Sequence, residues 1–215
     1  MIWTTNIKAL ARYNSNENSY LLNETFLYKP NFHPIQDSDA GVVYVTINMS
    51  GSVDEMMNEA FLNIEADFFS QPNLHCFVSE IRIIFSCDGG IVPKGFEIID
   101  FITEWNATKG VKISFICTGL NASMAIPIIA CGYNVYATEN AKFLIHDISS
   151  GTNGKVHDMK NVIEYFEMLK TDIIKVLKKN TKLSTQKLKG MMDKEHYFDA
   201  KTAVQYGLVD EIITY

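Results

Sequence analysis

Between Val43 and Gly119 the sequence alternates between two apolar periods, and this restricts the fold more than any single motif. VYVTINM (Val43 to Met49), EIRIIFSC (Glu80 to Cys87) and VKISFICTG (Val111 to Gly119) are short apolar runs rich in β-branched residues, the pattern of strands. Between them, VDEMMNEAFLNIEADFF (Val53 to Phe69) sets Met56, Met57, Ala60, Phe61 and Ile64 at helical spacing, and FEIIDFITEW (Phe96 to Trp105) reads as a second helix. A β-α-β-α-β order predicts an α/β fold with a parallel sheet whose strands are buried on both faces under helices. Further on, AKFLIHDI reads as a short strand, and the segment from Met159 to Thr181 as a long amphipathic helix with Val162, Ile163, Phe166, Leu169, Ile173, Val176 and Leu177 on one stripe. That helix is too long to be an ordinary sheet cover. It is expected to project and to bury its stripe against another subunit.

A chain of 215 residues with 47% hydrophobic content can bury one principal core. The net charge of −6 comes without any block of Lys and Arg, which argues against nucleic acid and anionic membranes as partners. The first twenty residues lack a secretory apolar region, and no apolar run reaches the roughly 18 residues of a spanning helix. A soluble, cytoplasmic protein is expected. Cys76, Cys87, Cys117 and Cys131 stand singly in apolar surroundings, which points to reduced, buried thiols and to neither a disulfide framework nor a metal site. No cofactor is implied. Residues 1–40 read as an N-terminal extension, because Asn14 to about Asp39 is rich in Asn, Ser and Pro and suits turns and poorly ordered arms. The main domain then runs over 41–215.

Open α/β sheets place ligands beyond the carboxyl ends of their strands. Two loops leave such ends here, SCDGG after the strand near Phe85 and TGLNASM after the strand near Cys117, and both are expected to face one crevice. Ser123 stands at the predicted start of a helix, where unpaired N–H groups and the positive dipole end favour an anion. The N–H of Met124 is a natural oxyanion donor, and that of Gly90 or Ile91 a second one, since Gly89 and Gly90 permit positive φ and close approach. His146 is the one strongly basic group of FLIHDI. Each residue also has a plainer use: Ser123 as an N-cap, His146 as a hydrogen-bonded core histidine, DGG as a turn, and Pro127 as a first-turn proline.

The runs VTINMSGSVDE, SCDGGIVPKGFEIIDFI, GLNASMAIPIIACG, FLIHDI and YFDAKTAVQYGLVDEII, in this order, resemble the proteolytic subunit of the Clp protease family from about residue 41 to the end. The resemblance implies a crotonase-like fold, a serine endopeptidase with a Ser-His-acid triad, and homo-oligomeric rings, heptameric and stacked into tetradecamers, whose long handle helices interlock. The handle region would span about 147–190. By position, Ser123 looks like the nucleophile, His146 like the general base, and Gly90 and Met124 like the oxyanion donors. Glu195 stands where the family has its acid, with Asp193 as the rival; a carboxylate that only orients an imidazole can be either acid. His196 beside it reads as a surface residue. The sequence departs from the family's pattern at Asp88 before the glycines, at Asp147-Ile148 after the histidine, and at Lys194 in place of an Arg linked to ring-to-ring contacts. The usual axial loop is replaced by the Asn-rich extension, so docking to an AAA+ unfoldase does not follow from the resemblance.

Three function classes remain. The first is a ring-forming peptidase acting on peptides or unfolded protein within a chamber. The second is a ring subunit or scaffold that has kept the fold and lost catalysis. The third is an acyl-CoA enzyme of the same fold, which needs the paired N–H donors but not a Ser-His pair. No GxxxxGK[ST] motif occurs, so no ATP site is expected on this chain.

Overall fold

A computed structural model describes residues 27–37, 42–71 and 73–214; the expectations for residues 1–26 and 38–41 lie outside the described residues. Strands β2 (Val42–Val53), β3 (Glu80–Gly90) and β4 (Lys112–Ala122) form the predicted parallel centre of the sheet, with Tyr44 opposite Glu80 and Glu80 opposite Lys112. Helices α1 (Glu55–Phe69) and α2 (Val92–Thr108) fill the crossovers. Helix α1 starts where Asp54 accepts a hydrogen bond from the N–H of Met57, and α2 has Pro93 in its first turn, where a missing N–H costs least.

One face of the sheet carries the core. Val45, Ile47 and Met49 on β2, Ile81, Ile83 and Phe85 on β3, and Ile113, Phe115 and Cys117 on β4 are fully buried with Met57, Phe61, Ile64, Ile98 and Ile102 from the two helices. The other face of β3 is buried as well, but by polar side chains. The alternate residues of β3 include Glu80 and Arg82, and Arg82 Nε donates to Glu80 Oε2 at 2.7 Å while its guanidinium lies 3.9 Å from the centre of the Tyr44 ring. The run IRIIF carries Arg82 within it, and the burial of that residue rests on Glu80 and the Tyr44 ring rather than on apolar packing.

The Asn- and Pro-rich segment was read as an arm, yet β1 (Leu27–Asp37) is a strand paired antiparallel to β2, with an irregularity between Asn31 and Ile35. As the edge of the sheet, β1 tolerates Pro30 and Pro34, since a lost N–H there faces no neighbour. Phe32 packs edge-on to Phe68, and the Tyr28 hydroxyl donates to Asp67 at 2.7 Å, so the strand is pinned to α1.

Beyond β4 come α3 (Ala125–Ile129), β5 (Val135–Thr138), β6 (Lys142–Ile145), α4 (Val156–Asn180), α5 (Thr185–Met192), β7 (His196–Asp199), α6 (Ala200–Tyr206) and β8 (Glu211–Ile213). The sheet order is β1-β2-β3-β4-β5-β8, and β4 serves two partners in turn. Its middle pairs with β5 through Phe115 to Cys117; its end pairs with β6 through Leu120 to Ala122. The β6 strand in turn holds β7 antiparallel. The sheet therefore forks where the candidate serine follows. In α4, Ile173, Ile174 and Leu177 are buried against the body while Val156, Ile163, Tyr165 and Met168 are exposed, so the amino-terminal half of the helix projects as expected.

Candidate active site

Ser123 follows the last residue of β4 with φ of +57°, a left-handed conformation that only an over-determined backbone imposes on a residue with a Cβ. Two hydrogen bonds impose it: its N–H donates to the carbonyl of Leu144 on β6 at 2.9 Å, and its own carbonyl accepts from Ile126 at 3.0 Å. The capping alternative fails, because Met124 and not Ser123 is the residue flanking α3 and no side chain caps that helix. The helix is only five residues long, so the dipole expected to favour an anion is small; the local N–H groups remain.

Gly89 explains why the turn after β3 is glycine. With φ of +89° it lies against the serine turn, and an added Cβ would stand 2.4 Å from Ser123 Cβ and 2.8 Å from the Ala122 carbonyl oxygen. Gly90, with φ of +148°, lies as close to the backbone of Val53. The N–H of Ile91 donates to Val53 at 2.7 Å, which removes Ile91 from the two donors considered after β3 and leaves Gly90. Met124 is held by α2, where Gly95 leaves the space that its side chain fills.

His146 lies one residue past β6 rather than within a strand. It lines the same cavity, about 260 Å³, as Ser123, Gly90, Met124 and Asp88, with Ile126, Ile145 and Met192 as apolar wall. The two segments expected to share a crevice do share it, but as the carboxyl ends of β3 and β4 rather than as loops after them. Glu195 and Asp193 lie in the exposed turn between α5 and β7, outside that lining. The β6–β7 register ends with Ile145 opposite His196, so His146 and Glu195 are the next residues along the two chains beyond the last pair. Glu195 has φ of +48°, a left-handed residue in that turn. Asp193 Oδ1 instead faces Lys170 Nζ at 3.7 Å.

His196 differs from its sequence-based reading, and Asp147 and Lys194 take definite surroundings. Asp147, next to the histidine, lines the same cavity and pairs with Lys170 of α4, whose Nζ donates to its Oδ2 at 2.6 Å. No sequence signal marks a pair 23 residues apart. His196 is half-buried rather than at the surface: its Nε2 lies 3.1 Å from the Tyr206 hydroxyl, and its ring packs on Phe198 and Tyr206. Burial, and then the charge of Lys187, hold its pKa below the ordinary value. Lys194 is exposed and lines a separate shallow depression with His196 and Lys187. The cysteines are free thiols; Cys87 and Cys117 are buried, Cys131 is half-buried and Cys76 is exposed. Burial raises the Cys87 thiol to about 12, so it is no nucleophile at neutral pH.

A left-handed serine between a glycine turn and a histidine is a local arrangement, and comparison with known families gives it a wider frame. The family described as Clp protease matches residues 74–215, more than half of the chain. The chain belongs to the Clp protease family. The match begins just before β3 and takes in both glycines, Ser123, His146 and the β7–α6 segment; β1, β2 and α1 precede it but continue the same sheet. The α/β architecture, with a mostly parallel sheet and a long projecting helix, is that of a Clp protease domain. Among the described residues no helix is long and apolar enough to cross a membrane.

Proposed function

We propose that this Clp-family chain is a serine endopeptidase that cleaves peptides or unfolded protein through an acyl-enzyme on Ser123. The observation that carries the reading is the strained Ser123 turn opening into one cavity with His146 and the Gly89-Gly90 backbone. Backbone strain at a half-buried hydroxyl that faces a cavity has no packing use, whereas a nucleophile must stand clear of its own chain. In this reading Ser123 Oγ attacks the scissile carbonyl as His146 takes its proton, and the N–H groups of Gly90 and Met124 donate to the developing oxyanion. His146 then protonates the leaving amine, and water, activated by the same imidazole, releases the acid. Glu195 orients the imidazole and stabilises its charged form.

The Clp family generally forms rings around a chamber, and the exposed apolar residues of α4 fit self-association into such a homo-oligomer. Access to the chamber would then govern which substrates are cut. Four free thiols fit a reducing, cytoplasmic setting. The test is intact-protein mass spectrometry after exposure to a fluorophosphonate. One adduct that maps to Ser123 and is absent from Ser123→Ala is expected. Assembled protein that takes no adduct moves the assignment to a non-catalytic ring subunit.

A further inference from the structure

The ladder that brings the proposed base and acid together ends too early to hold them. Its last pair is Ile145 opposite His196, so His146 and Glu195 both lie beyond it, each at the start of a loop. One side chain reaches both loops. Lys170, from the middle of α4, places Nζ 2.6 Å from Oδ2 of Asp147, the residue after His146, and 3.7 Å from Oδ1 of Asp193, two residues before Glu195. The other oxygen of Asp147 accepts from the N–H of Ile148 at 2.8 Å, which fixes that carboxylate to its own loop. Exposed ion pairs hold little, but the Lys170 side chain is only 17% exposed, so its stem is packed and its head is delivered to one place. Its ammonium is further stabilised in the charged form, first by Asp147, then by Asp193 and by Glu167 of its own helix.

We propose that Lys170 is a positioning residue that clamps the His146 loop to the Glu195 turn, holding base and acid of the site opposite one another from helix α4. The proposal rests on the peptidase reading for its effect on rate, but the clamp itself is a structural statement with its own readout. It also gives Asp147 and Asp193 a shared use, as counter-charges to one lysine, in place of the role of rival to Glu195 for Asp193. A movement of α4 would reach the site through this side chain.

The experiment compares full-length wild type with Lys170→Met, which keeps the stem, and Lys170→Arg, which keeps the charge. Fluorophosphonate labelling of Ser123 should slow about tenfold in K170M and stay within about threefold of wild type in K170R, the scale expected when a catalytic pair is displaced but not removed. Peptide hydrolysis should lose kcat with KM within about twofold, since the clamp binds no substrate. Adding Asp147→Asn to K170M should cost nothing more, because the two act through one contact. Amide hydrogen exchange should quicken together over 146–149 and 193–196 in K170M, about tenfold, and return in K170R. Wild-type labelling rates in K170M, no rescue by arginine, or exchange that changes in one segment or neither, overturns the clamp. Wild type that takes no label overturns the peptidase reading instead, and the exchange result then decides the clamp alone.

Discussion

The backbone of Ser123 and its hydroxyl make separable contributions. A residue with a Cβ at φ of +57° carries a left-handed strain of about 1 kcal/mol that glycine would not. Ser123→Ala removes the hydroxyl and keeps the strain; Ser123→Gly removes both. The glycine variant should therefore be the more stable of the two by about 1 kcal/mol in urea unfolding, although both lose the adduct. Equal midpoints would mean that the turn is unstrained and that its left-handed form needs no functional reason. His196 supplies a second test at this scale, with the sign fixed by its environment. Its folded pKa lies below the ordinary value of about 6.5, so the unfolded chain takes up the proton first as pH falls. The neutral ring's contribution to stability is thus present above about pH 6.5 and is lost as the pH falls through the lower folded value. His196→Gln, which retains a partner for Tyr206 but has no proton to gain, should lose less stability than wild type between about pH 7.5 and 5. Parallel losses in urea titrations at the two pH values would remove His196 as a source of acid sensitivity.

At the scale of elements, the parallel centre was legible because its cause is local. The runs at Val43, Glu80 and Val111 and the helical spacing at Met56 and Phe96 each carry their own period, and the observed strands run three or four residues past those readings at their carboxyl ends, while α1 starts two residues later than read. Composition failed where tertiary position decides. KPNFHPIQ has two prolines and looks like an arm, but an edge strand can accept them, and Phe32 and Tyr28 find partners on α1 that sequence order does not reveal. In FLIHDI the period ends before the histidine, and only the split of β4 between β5 and β6 shows why: β6 is short because it continues the tip of β4 alone. The clustering of Ser123, His146, Gly90 and Met124 followed from the rule that sites lie past strand ends. The antiparallel register of β6 with β7 and the approach of Lys170 to Asp193, which bear on the choice between Glu195 and Asp193, did not, since both depend on elements far apart in sequence.

For the molecule as a whole, α4 poses a problem of surface that the folded chain leaves unsolved. Its carboxyl-terminal half buries Ile173, Ile174 and Leu177 against the body, but the same stripe runs on toward its amino-terminal end through Ile163, which is 54% exposed, with Tyr165 and Met168 exposed nearby. A helix whose apolar stripe outlasts its contacts gains by meeting a second copy, and self-association buries such a stripe in every subunit at once. Ile163→Asp separates association from folding. An exposed position affects monomer stability by within about 0.5 kcal/mol, so the urea midpoint of dilute protein should barely change. A charge placed in a packed interface is costly, so sedimentation velocity should show the assembled species replaced by smaller ones at the same concentration. If wild type and Ile163→Asp sediment alike as large assemblies, the stripe is not the seam and the rings are built from another face.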